Sequence, residues 1–118
     1  MTMNKQQLFD IAYTGLAKQG FQRSMSPDDP ALCAYRGLNG LKCAIGHAIP
    51  DEKYQPDMES VWTLEGILEL IGASDLDSFA HVLRKAHDGA DTPQEMKARL
   101  LDFAKNWGLY IPTLESLI

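Results

Sequence analysis

No run of lysines and arginines occurs anywhere in this chain. Its 11 basic residues are scattered and outnumbered by 16 carboxylates, for a net charge of −5. Duplex nucleic acid is therefore not an expected partner, because affinity for it comes largely from neutralised phosphates. A small anion held by one or two cations, or a basic protein surface, is compatible with the same balance. No apolar run approaches the roughly 20 residues that span a bilayer, so no membrane partner is expected. Residues 1–10 are polar and lack the apolar centre of a secretion leader, which predicts a cytoplasmic protein. There are two cysteines, too few for a disulfide framework, and both are expected to be free thiols.

What is present is an ordinary globular balance, 45% hydrophobic and 23% charged in 118 residues. That length suits a single domain, residues 1–118, able to bury a core without staples. No internal repeat or low-complexity segment divides it.

Helical periodicity recurs four times. Residues 4–19 carry Leu8, Ile11, Ala12, Gly15 and Leu16 at helical spacing, with Gly20 in the position favoured past a helix end. Gly15 inside that stripe predicts a close neighbour against the backbone. A second helix sets Val61, Leu64, Ile67, Leu68 and Ile71 on one face, ending at Gly72. A third takes Ser74 as its cap and buries Leu76, Phe79, Ala80, Leu83 and His87. The fourth opens on Thr92-Pro93-Gln94-Glu95, a capping box with proline at the first helical position. Its inward face is Met96, Leu100, Phe103, Ala104 and Trp107, and Gly108 ends it. Pro112 keeps the tail, residues 109–118, from extending that helix, and its leucines and isoleucines are expected to pack back on the domain.

Between the first two helices the pattern changes. Residues 32–36 and 41–44 flank Gly37-Leu38-Asn39-Gly40, a hairpin signal because Asn-Gly supports positive φ. A three-residue loop would set Gly37 opposite Leu41 and put Cys33 and Cys43 on one face. A two-residue turn would put them on opposite faces. Residues 44–49 suit one helical turn, limited by Pro50. The expected fold class is α+β, a mainly helical domain of about four helices with one small β-hairpin near residues 31–44.

Residues 33–59 hold both cysteines, Arg36, Lys42, His47 and an acidic cluster of Asp51, Glu52, Asp57 and Glu59. This density reads as a site, although it spells out no known reaction. Arg36 and Lys42 suit phosphate or carboxylate recognition; the alternative pairs Arg36 internally with Asp51, Glu52 or Glu59. His87, followed by Asp88 at a helix end, is either presented to a pocket or a hydrogen-bonded core histidine. Tyr35 and Tyr54 could wall a ligand. Cys43 could act as a nucleophile, with His47 or His87 as base and Asp51 or Asp88 as orienter; the alternative is a packed thiol. Cys33, Cys43, His47 and His87 form a conceivable zinc set, though the Cys-x9-Cys-x3-His spacing is not a zinc-finger pattern.

The segment Tyr35-Arg36-Gly37, then Gly40-x-Lys42-Cys43-Ala44-x-Gly46, then Ile49-Pro50-Asp51-Glu52-x-Tyr54, resembles a group of small uncharacterised bacterial and phage proteins. Glu59 and the pair His87-Asp88 are also similar. The resemblance implies an accessory protein of a phage, prophage or mobile element, located in the host cytoplasm if phage-encoded. It implies no catalytic mechanism.

The leading expectation is a non-catalytic protein that binds a nucleotide-like anion or a host protein, with no cofactor. Its ligand-binding residues would be Tyr35, Arg36, Lys42, His47, Asp51, Glu52, Tyr54, Glu59, His87 and Asp88. The alternatives are a hydrolase or transferase using Cys43, and an inhibitor that meets a basic host surface with its acidic loop. The oligomeric state stays open.

Overall fold

The computed structural model describes residues 3–26 and 34–112. Four α-helices make up most of it: α1 (Lys5–Lys18), α2 (Leu64–Leu70), α3 (Asp77–Asp88) and α4 (Pro93–Trp107). The described residues form a single hydrophobic core, and the Cα radius of gyration is 13.3 Å.

Each helix starts where local chemistry supplies a cap, α3 excepted. Asn4 and Gln7 satisfy each other's backbone N–H at 2.8 Å, a full capping box. Thr63 accepts from Gly66 N–H at 3.1 Å and Thr92 from Glu95 N–H at 3.0 Å. The Glu95 side chain does not complete a box; it turns to Arg99 four residues on. Ser74 is not the cap of α3. It opens a short 3-10 turn, Ser74–Leu76, and α3 begins after it without a side-chain cap.

The core is aromatic where α1, α3 and α4 meet. Phe79 packs against Phe103 and Trp107 with ring centroids 5.0 Å apart in each pair, and Phe9 stacks on Phe103 at 5.9 Å. The predicted stripes face this core, with two departures: Ile11 on α1 is exposed, and Val61 is 74% exposed. Val61 lies before Thr63, outside α2, so the helical period does not govern it. Of the tail, Leu109 packs on the core as expected, Ile111 is exposed instead, and Tyr110 is tied to α1 by two backbone bonds to the Gln6 amide. Residues 113–118 lie outside the described part.

The expected β-hairpin near residues 31–44 is not formed among the described residues, and the chain is mainly helical rather than α+β. A single antiparallel bridge joins Arg36 and Lys42. Gly37 N–H donates to Leu41 C=O at 2.9 Å around a 3-10 turn, Leu38–Gly40, where Asn39 and Gly40 take positive φ. The ladder then stops for a physical reason. Cys43 N–H still reaches Tyr35 C=O at 3.3 Å, but the Tyr35 N–H that would answer it goes to the carboxylate of Glu59 at 2.9 Å, which also accepts the outward-facing Arg36 N–H at 3.0 Å. Ala34 and Leu38 donate instead to backbone carbonyls of Ser24 and Met25. On the other side Cys43 enters a turn, its C=O accepting from His47 N–H, which continues into the 3-10 turn Gly46–Ala48. Cys33 lies outside the described residues, so its face relative to Cys43 does too.

That 3-10 turn docks on α1. A Cβ added at Gly15 would lie 2.3 Å from the His47 ring, so only glycine lets the imidazole lie against the helix backbone. Among the described residues, no helix is long and apolar enough to cross a membrane.

Candidate functional site

The conspicuous residues of the middle segment bind one another. The Arg36 guanidinium meets Asp51 Oδ1 at 2.6 Å, donates to Ile49 C=O at 3.2 Å and lies over the Tyr54 ring, 4.4 Å from its centroid. Lys42 Nζ approaches the same Asp51 oxygen at 3.7 Å. These two cations hold the Asp51 carboxyl below the usual range, the Arg36 hydrogen bond contributing most. Tyr54 donates its hydroxyl to Glu59 at 2.6 Å. Burial, and then that bond, push the Tyr54 phenol up to about 12. Glu59 therefore receives three donors: two consecutive backbone N–H groups and a phenol. Glu52 and Asp57 face solvent.

The histidines are equally committed. His47 donates from Nε2 to Gln19 Oε1 at 3.0 Å, since an amide oxygen can only accept. Burial first, and then Lys42 and His87, lower its pKa to about 4, so it is neutral near pH 7. His87 is fully buried. Its Nε2 accepts the Ser24 N–H at 3.2 Å, which places the ring proton on Nδ1, donated to Asp88 Oδ1 at 2.8 Å.

Cys43 is buried, and its Sγ accepts Gly46 N–H at 3.2 Å. Burial pushes the thiol up to about 12. Neither His47 nor His87 makes a hydrogen bond to it; both rings have the other partners just described. At neutral pH this geometry gives a thiol, not a thiolate. The conceivable zinc set is not assembled by the described residues either, since the imidazoles of His47 and His87 serve Gln19, Ser24 and Asp88. The histidine–carboxylate cluster that does converge is a different one. His81 Nε2 lies 3.2 Å from Glu65 and 3.5 Å from Asp77, the two carboxylates exposed and the histidine half-buried. The i, i+4 spacing of Asp77 and His81 was its sequence signal.

A polar hollow of about 190 Å³ does lie between the middle segment and α3. Tyr35, Cys43, Glu59 and Trp62 line one side, and Arg84 and Asp88 line the α3 side. Tyr35, Glu59 and Asp88 were expected at a site. Arg36, Lys42, His47, Asp51, Glu52, Tyr54 and His87 do not line it. The residue that sequence reasoning missed is Arg84. It makes no ion pair with any described residue, and its one polar contact among them is the Tyr35 hydroxyl at 3.5 Å. No sequence signal singled it out, because Arg84 and Asp88 stand four apart on one helix, the spacing of an ordinary ion pair.

Compared with known proteins, the chain matches no family model, no curated protein and no solved structure.

Proposed function

We propose that this chain is a small non-catalytic binding protein whose site is the hollow between residues 34–62 and α3. Arg84 is the anchor for an anionic group on the ligand. One observation carries this: a partly buried guanidinium lines a polar hollow without a carboxylate partner among the described residues. A planar fork of donors recognises a carboxylate or phosphate oxygen in such a place. Tyr35 and Trp62 supply walls. The volume of about 190 Å³ favours a compact ligand over an extended one, since pockets that bury drug-sized ligands run to roughly 300–1,000 Å³.

The anion is thus assigned to Arg84 rather than to Arg36, Lys42 or His87. The motif around those three acts as the frame that shapes the hollow. Its resemblance to small bacterial and phage proteins supports an accessory role in the cytoplasm of a bacterial cell.

The test is thermal denaturation of the purified protein with acetate, inorganic phosphate, free amino acids, and adenosine and guanosine monophosphates in turn. At least one should raise the midpoint, and Arg84→Ala should remove the rise while Arg36→Ala keeps it. No rise with any of them, or a rise that Arg84→Ala leaves intact, overturns the proposal.

A further inference from the structure

We infer that the ligand of this hollow is a compact zwitterion of amino-acid type, with its carboxylate on Arg84 and its amino group on Asp88. The inference rests on the binding function proposed above and specifies the ligand class.

Arg84 and Asp88 stand four residues apart on α3, the spacing at which opposite charges on a helix normally meet. They form no ion pair. Arg84 reaches across to Tyr35, and Asp88 turns to His87. The carboxylate is held there from behind. A backbone donor, Ser24 N–H, fixes the fully buried ring of His87, and the ring's other nitrogen fixes Asp88 Oδ1. His87 is thus a positioning residue for Asp88. The second carboxylate oxygen has no hydrogen-bond partner among the described residues. The hollow therefore presents a donor fork and an acceptor, one helical turn apart and not neutralised by each other.

The charge pattern decides between a plain anion and a dipolar ligand. Arg84 shares the hollow with two carboxylates, Asp88 and Glu59. A phosphate dianion would gain one cation and face both. A zwitterion meets the opposite sign at each end. Asp88 is also the last residue of α3, where the helix dipole disfavours a carboxylate and favours an ammonium group. Glu59 adds to the negative field that favours an ammonium group, but three donors already occupy its oxygens, so Asp88, with an oxygen left open, is the direct acceptor. Size agrees, since about 190 Å³ accommodates a single amino acid with its side chain towards Trp62.

The experiment is an NMR titration of ¹⁵N-labelled protein with acetate, methylammonium, inorganic phosphate and the proteinogenic L-amino acids one by one. At least one amino acid should shift the amides of residues 84–88 at roughly one-tenth of the acetate concentration or less, the gain expected of one charge-assisted contact. Asp88→Asn keeps an acceptor for His87 Nδ1–H, so the fold is retained, and it should cut the preference over acetate at least several-fold. Asp88→Ser should do the same. Arg84→Ala should abolish binding of both. If acetate or phosphate binds through Arg84 but no amino acid binds more tightly, the zwitterion is wrong and the anion site stands. The zwitterion is equally wrong if Asp88→Asn and Asp88→Ser leave the preference unchanged. If no probe shifts residues 84–88, the anion site falls as well.

Discussion

Arg36 and Arg84 each lie beside a tyrosine, on either side of the same stretch of chain, and they have opposite fates. Arg36 is closed: a carboxylate, a carbonyl and an aromatic face take up its guanidinium. Its Nε is buried with no hydrogen-bond partner among the described residues, a local cost that this closure carries. Arg84 is open, with one contact at 3.5 Å. The first region sits in the segment richest in glycine, proline and charge. The second sits on an unremarkable helix. Density of special residues here marks a stretch of chain that must hold an irregular backbone without a sheet. The group left free for a partner comes from a regular element that needs no such help.

The comparison breaks if the closed region tolerates change, and Gly46 is its hardest test. A Cβ there would lie 2.1 Å from Tyr35 O and 2.9 Å from Tyr35 C, both backbone atoms. Neither can rotate away, so Gly46→Ala must push the turn off residues 34–36. The expected loss is about 3 kcal/mol, the upper part of the overpacking range, read from urea denaturation. A loss below about 1 kcal/mol would show that the two segments are not pressed together. Next comes Glu59→Ala, which strands two backbone donors and a phenol. Because water reaches this carboxylate, the expected loss is about 2 kcal/mol rather than the sum of three charged bonds.

Much of the helical frame was legible in the sequence, and the reason is local. Asn4, Thr63 and Thr92 cap the helices that follow them, and Gly20, Gly72 and Gly108 turn to positive φ after them. His87 falls in the apolar stripe of α3 and is buried there. Gly15 lies in the stripe of α1 and receives the His47 ring. The hairpin was misread because its failure is not local. Asn39-Gly40 does turn as such a pair should, yet Glu59, about twenty residues along, takes the Tyr35 N–H that a ladder would use. Nothing in residues 31–44 announces that competitor. The site was half legible for a similar reason. Tyr35, Glu59 and Asp88 were marked by their motif, whereas Arg84 became visible only once its possible partner Asp88 was seen turned towards His87.

A pH titration sharpens the comparison from inside the closed region. The folded-state pKa of His47 is about 4, below the ordinary 6.5. A depressed histidine is neutral in the fold and charged in the unfolded chain below pH 6.5. Its contribution is full above that pH and is lost as pH falls towards 4. Discounted for the ring's partial exposure, the loss is about 1 to 2 kcal/mol. Urea midpoints at pH 7.5 and 4.5 should therefore differ less in His47→Asn, which retains a donor for Gln19, than in the parent. An equal pH dependence in the two proteins would mean that His47 titrates normally and the docking of its turn on α1 is loose.

The smallest stability change should separate the two arginines most cleanly. Arg36→Ala removes an ion pair to an Asp51 that is 80% exposed, a hydrogen bond to Ile49 and packing on Tyr54, with an expected cost of about 1 kcal/mol. Arg84→Ala removes one long contact and a partly buried charge that makes no ion pair with any described residue, so its stability should stay within about 0.5 kcal/mol of the parent. Stability and binding should then move in opposite order: Arg36→Ala weakens the fold and keeps the ligand, and Arg84→Ala keeps the fold and loses it. A loss of more than about 1 kcal/mol in Arg84→Ala would make Arg84 a structural residue too. The distinction between a closed arginine and an open one would then disappear.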